Sequence, residues 1–171
     1  MTPFRVPPEW TWDVRIARLE AIADAGVTDP ETQRRARAIL AFAVGFRLLA
    51  RVGLAEVQRL PFVADPPGDD DYYAVGETWR RGGDCEDLSA ALVALYRALG
   101  LRARLAWMEL DPGAAQTHVT VQVSPDPVSV PSDRASWWYA EPSVRAELGE
   151  EPVAAAIRTQ SYAPFGGSLT A

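Results

Sequence analysis

The chain has 171 residues, 48% of them hydrophobic, and its 23 acidic and 17 basic side chains leave a formal net charge of −6. That length suits one domain with a substantial core rather than two, and the acidic balance argues against nucleic acid as the main ligand. Every basic side chain is arginine, and a single cysteine, Cys85, excludes an internal disulfide.

Residues Met1 to Pro8 lack the basic region and apolar run of a secretory signal. The longest apolar run, Ala38 to Phe46, is too short to span a bilayer, so no membrane segment is expected and the expected location is the cytoplasm. Trp10 to Ala25 carries Trp12, Ile16, Leu19 and Ile22 at helical spacing, with Gly26 as the stop. A second helix is predicted from an Asp29 N-cap, with Pro30 at its first position, through Ile39, Leu40, Ala43, Phe46 and Leu49 to Gly53. Its stretch Ala38 to Leu49 is apolar nearly all round, which predicts burial. Residues Ala64 to Asp71, rich in proline, glycine and aspartate, read as a loop. From Asp84 onward, Leu88, Ala91, Leu92, Leu95 and Leu99 trace one helical face as far as Gly100.

Three β-like runs follow, Arg102 to Leu110, Thr117 to Val123 and Ser136 to Ala140, separated by loops at Asp111 to Ala115 and Ser124 to Ala135. The second alternates, with Val119, Val121 and Val123 on one face and His118, Thr120 and Gln122 on the other. A short helix over Pro152 to Arg158 and a tail from Tyr162 to Ala171 complete the chain.

The only cysteine lies in Gly82-Gly83-Asp84-Cys85-Glu86-Asp87, and the only histidine in Gln116-Thr117-His118-Val119-Thr120-Val121. With Asp84 as N-cap, Cys85 becomes the first helical residue, where unpaired N–H groups and the positive end of the helix dipole favour a thiolate. Its amide is also placed to hold the oxyanion of a tetrahedral intermediate, and Gly82 and Gly83 are expected to leave the approach to sulfur uncrowded. Asp84 and Asp87 form an aspartate version of a capping box. The acids around Cys85 oppose a thiolate unless they turn into capping bonds. A lone cysteine is commonly a small buried filler, and that alternative stays open.

His118 falls on the polar face of a β-branched strand, where it could take the thiol proton and return it to a leaving amine. A strand histidine satisfied by a neighbour or by water is the competing possibility. In Trp137-Trp138-Tyr139-Ala140-Glu141-Pro142, extended geometry puts Trp137, Tyr139 and Glu141 on one face, so the carboxylate could orient the imidazole. One Cys and one His without CxxC or HxxxH spacing make a poor metal site, and no metal or cofactor is expected.

These segments resemble the transglutaminase-like superfamily, within the wider papain-like group of cysteine enzymes. The resemblance rests on Gly83-Asp84-Cys85-Glu86-Asp87, Leu99-Gly100-Leu101-Arg102-Ala103-Arg104, His118-Val119 and Trp137 to Pro142, and covers roughly Pro61 to Ser143. It implies an α+β fold with a papain-like core, the nucleophile helix packed on an antiparallel sheet, and N-terminal helices. The implied layout is a helical layer over 1–60, a catalytic core over 61–160 and a tail over 161–171, forming one structural domain. Cys85 is implied as nucleophile, His118 as general base and acid, and Glu141 as orienting acid, where the family usually has aspartate. A further oxyanion donor upstream of the cysteine is implied, with Trp79, then Tyr73, then Gln58 as candidates. Asp65-Pro66-Pro67-Gly68-Asp69-Asp70-Asp71 is similar to transglutaminase-like proteins encoded near phage and prophage structural genes.

The expected activity is thiol-dependent acyl transfer on a protein or peptide carboxamide, with hydrolysis favoured over cross-linking. The alternative is a catalytically silent module that assembles with phage structural proteins in a particle. A redox-sensing thiol is less attractive, because the chain holds no resolving cysteine.

Overall fold

Helix α5 (Cys85–Ala98) is the axis of the molecule, begun by the Asp84 N-cap and ended at Leu99, with Gly100 at φ +77° completing the turn. A computed structural model of the chain describes residues 3–66, 69–109, 117–150 and 158–161. Before α5 come β1 (Phe4–Arg5), α1 (Trp12–Gly26), α2 (Pro30–Leu40), α3 (Phe46–Val57), β2 (Asp71–Tyr72) and α4 (Val75–Arg81). After it come β3 (Arg102–Glu109), β4 (Thr117–Ser124), β5 (Trp138–Ala140) and β6 (Arg158–Ser161). The architecture is α+β, as the sequence implies.

The apolar positions of α5 trace more than one face. Leu88 and every residue from Ala90 to Tyr96 are buried, because helices cover one side and a sheet the other. Burying each of the larger side chains contributes about 1.5–3 kcal/mol. On the helical side, Tyr96 Oη donates to the Ala50 carbonyl at 2.8 Å, fastening α5 to α3. Gly53 lies beneath the Tyr96 ring, where an added Cβ would meet Cε1 at 2.8 Å. On the sheet side, Ser89 Oγ donates to the Val119 carbonyl at 3.0 Å. Buried Arg97 donates to Glu20 and Asp24 of α1 and to the Ala103 carbonyl, tying three layers together at one guanidinium.

The main sheet has the order β5-β4-β3-β6 with antiparallel pairing, Met108 opposite His118 and Gln122 opposite Tyr139. Val119, Val121 and Val123 form the fully buried face predicted for them. Thr120 and Gln122 on the opposite face are buried as well. β1 and β2 pair antiparallel in a second small sheet, so the segment read as loop ends in a strand at Asp71.

Two expectations need correction. The single helix predicted from Asp29 to Gly53 is two, α2 and α3, parted by a turn in which Gly45 adopts φ +81°. Gly53 is interior to α3. Nor is Ala38 to Leu49 buried throughout: Leu40, Phe42, Val44 and Leu48 are exposed, Val44 at 84%. The helix predicted over Pro152 to Arg158 lies outside the described residues except at Arg158, which begins β6. The predicted loop Asp111 to Ala115 and tail Tyr162 to Ala171 also lie outside them. No helix among the described residues is long and apolar enough to cross a membrane.

Candidate active site

Asp84 caps α5 through one oxygen, Oδ1, which accepts the amides of Glu86 at 3.2 Å and Asp87 at 3.4 Å. The Cys85 amide, first in the helix, is left outside this cap and outside the helical ladder. The lead-in is held by backbone pairing: Val63 N donates to the Gly83 carbonyl at 2.9 Å, and Gly83 N to that of Pro61 at 3.3 Å. Gly82 sits at φ +79° against the Pro61 carbonyl, and a Cβ on Gly83 would strike Asp87. The two glycines therefore permit close packing against Pro61 and Asp87.

The thiol is half-buried. Cys85 Sγ donates to Glu86 Oε2 at 2.8 Å, and the Val119 amide points at the sulfur. His118 is thus the neighbour across one peptide bond, but the thiol's hydrogen bond goes to Glu86. Burial pushes the Cys85 pKa well above its ordinary value, and Glu86 and Asp84 push it further, outweighing the Val119 amide. This overturns the expected lowering at the helix N-terminus. The carboxyls are raised in turn, each chiefly by burial: Asp84 to about 8 with Glu86 and Asp65 adding repulsion, Asp87 to about 8 against the lowering effect of the Tyr73 amide, and Glu86 upward. Several of these acids therefore hold protons at neutral pH, which softens the field around sulfur.

His118 and Glu141 meet as the alternation predicts. Nε2 of His118 lies 2.7 Å from Oε2 of Glu141, whose residue is wholly buried. Its other oxygen accepts the Ser143 amide at 2.8 Å and the Ser143 hydroxyl. Burial works to raise the Glu141 pKa, yet His118 and Ser143 bring it below the usual value. With Nε2 engaged, Nδ1 is the ring nitrogen left for other chemistry. Gln58 Nε2 donates to the carbonyls of Glu141, Val144 and Ala146 at 2.9, 3.0 and 3.0 Å, clamping the segment that carries the acid.

Of the upstream donor candidates, Trp79 and Gln58 are engaged elsewhere. Trp79 Nε1 donates to Thr32 Oγ1 at 2.7 Å in the core, Gln58 holds its three carbonyls, and the Tyr73 ring lies 3.5 Å beneath the Arg81 guanidinium. Asp87 does not close a reciprocal capping box, because its Oδ1 accepts the Tyr73 amide at 2.9 Å. The structure adds Glu86 as the thiol's partner and Ser143 as the partner of Glu141, with Tyr72 near Glu86. The Tyr72 hydroxyl is buried without a hydrogen-bond partner among the described residues, and burial and nearby Glu86 raise its pKa. Glu86 lies within the motif itself, next to the sulfur, whereas nothing local marks Tyr72. Among the described residues no group of three or more His, Cys, Asp or Glu could hold a metal ion.

The profile described as Transglutaminase-like superfamily matches residues 50–142. No curated protein matches the sequence. The fold is similar to a crystal structure described as a "putative cysteine protease" from Cytophaga hutchinsonii, with a TM-score of 0.50 at 15% identity. That alignment covers 92% of this chain and 56% of the other, so this chain spans little more than half the length of its structural neighbour.

Proposed function

This chain belongs to the transglutaminase-like superfamily, and from that membership we propose a thiol-dependent acyl-transfer enzyme, a cysteine peptidase or amidase acting on a protein or peptide carboxamide. The observation that carries the proposal is the 2.7 Å pairing of His118 with wholly buried Glu141 beside the sulfur-bearing end of α5. Cys85 Sγ attacks the carbonyl, its proton passes to His118 Nδ1, and the oxyanion is received at the Cys85 amide. The imidazolium gives its proton to the leaving amine. Water, deprotonated by the same ring, then attacks the thioester carbonyl and expels the Cys85 thiolate, which takes the proton back from the imidazolium as the acid is released. Glu141 keeps the ring oriented and stabilises its charged form. In the resting arrangement the thiol must first turn from Glu86 toward His118. A free thiol of this kind suits a reducing compartment such as the cytoplasm.

One observation favours a second reading, a catalytically silent module of a particle. The Cys85 to Glu86 contact and the raised thiol pKa both hold the nucleophile in its neutral form. Ammonia release from a glutamine-containing peptide, or cleavage of a casein substrate, decides between them. The enzyme predicts turnover that iodoacetamide abolishes and Cys85→Ala removes. A Cys85→Ala variant as active as the parent overturns it, and absence of turnover on both substrates favours the silent module.

A further inference from the structure

We infer that Arg104, Arg102 and Trp137 form a binding subsite for a carboxylate of an acidic peptide, apart from the Cys85 site. The choice of a peptide as carrier rests on the function proposed above; the anion site itself does not.

The sheet register lines up three residues, with Arg104 opposite Gln122 and Gln122 opposite Tyr139, so all three share one face. Trp137, just before β5, lies against this row, and its indole is fixed by a 2.9 Å bond to the Ser132 carbonyl. The Arg104 guanidinium sits 3.8 Å from the Trp137 ring centre, and its Nε donates to Gln122 Oε1 at 2.8 Å. Arg102 approaches the same ring at 5.8 Å and donates to the Pro127 carbonyl at 3.1 Å.

The Arg104 guanidinium is partly buried and that of Arg102 sits at the exposed edge of the row, and neither has a carboxylate within ion-pair distance among the described residues. Other arginines held out of water are treated differently. Arg15 meets Asp70, Arg35 meets Glu31 and Glu56, and Arg97 meets Glu20 and Asp24. Burial lowers the Arg104 pKa to about 10, and repulsion from Arg102 acts in the same direction. A cation withdrawn from water without a counter-ion is unfavourable, and an arriving carboxylate relieves that penalty.

With Nε taken by Gln122 and one face by Trp137, the Arg104 terminal nitrogens remain as a planar fork suited to a carboxylate. A cavity of about 300 Å³ lined by Trp137, Trp138, Tyr139 and Gly149 shares the Trp137 ring with this pair and can take an apolar side chain of the same peptide. The net charge of −6 disfavours a long polyanion such as nucleic acid. Ala106, Met108 and Thr120, buried on the same face, lie between Arg104 and His118. The two sites are four residues apart along β4, about 13 Å.

The test uses the Cys85→Ala protein and fluorescein-labelled pentapeptides read by anisotropy. The probes are Gly-Leu-Glu-Leu-Gly amide, its Gln counterpart as amide, and that Gln peptide with a free C-terminus. The Glu peptide should bind roughly tenfold more tightly than the neutral amide, a size ordinary for one charge-assisted contact. Arg104→Gln and Arg102→Gln should each erode that preference while melting temperature stays near the parent's. Comparable binding by the free C-terminus assigns a main-chain carboxylate, and its failure assigns a side-chain one; either supports the site. Equal affinity for Glu and Gln amides, no binding by any probe, or an undiminished preference in both variants overturns it. Because the nucleophile is absent throughout, these outcomes are independent of whether Cys85 supports turnover.

Discussion

Nε2 of His118 and Oε2 of Glu141 lie 2.7 Å apart although 23 residues separate them. Two neighbouring antiparallel strands bring them together, and burial of Glu141 makes the pair sensitive to small changes. Glu141→Gln keeps the shape but removes the charge that supports an imidazolium. It should lower kcat on any accepted substrate by about 10²–10⁴-fold, with little change in melting temperature. Glu141→Asp, which withdraws the carboxylate by one methylene, should fall between the two. Activity of Glu141→Gln within twofold of the parent would remove the acid from the mechanism.

Thiol reactivity should follow the Glu86 contact. Alkylation of the parent by iodoacetamide should be slow at pH 7 and climb only in alkaline solution, because burial, Glu86 and Asp84 hold the Cys85 pKa well above its ordinary value. Glu86→Gln removes one of these influences and should speed alkylation at pH 8 by about tenfold, the equivalent of one pKa unit. A parent profile with its midpoint near pH 6 would show that the thiol faces His118 in solution.

Stability should fall as pH rises from about 4 to about 8. Asp84 and Asp87 have folded-state pKa values raised to about 8, against about 3.9 when unfolded. Between those values the folded chain binds more protons than the unfolded one, so stability present below the lower value is lost as pH climbs through the upper. Glu141 acts oppositely but only in acid, where its lowered pKa makes its contribution disappear as pH falls. Asp84→Asn preserves a good N-cap and should flatten the decline in thermal melts. A slope unchanged in this variant would mean that Asp84 titrates normally.

Gln58→Ala should cost about 1–3 kcal/mol by leaving carbonyls of Glu141, Val144 and Ala146 without their donor. Turnover should drop with it, because the segment that aims Glu141 loses its clamp. A stability loss with kcat intact would restrict Gln58 to a structural role.

Gly53→Ala should destabilise by about 1–3 kcal/mol through overpacking, since its Cβ would enter the Tyr96 ring edge. Chemical denaturation measures this directly. Thiol reactivity should be unaffected, which separates general loosening from events at the site.

Local chemistry explains what could be foreseen. Asp84 and Gly100 bracket α5 by capping and left-handed geometry, both written in residue type, and strict alternation placed His118 and Glu141 where strands could join them. The α2 to α3 break escaped notice because hydrophobic residues continue through it, and Gly45 alone marks the turn. The place of Trp79 is not legible locally for a different reason: its indole partner, Thr32, comes from 47 residues away. Likewise the Glu86 carboxyl meets the sulfur through a side-chain orientation that neighbouring sequence does not specify.

The Gln58 clamp carries one more consequence. Its amide belongs to the segment just after α3, whereas the three carbonyls it holds follow the last strand of the central sheet before residue 150. Severing the polypeptide near residue 60 would strip that brace and lay bare the α3 side of α5 in a single cut. A shortened fragment beginning there should aggregate, because the portions on either side of residue 60 each cover what the other leaves bare.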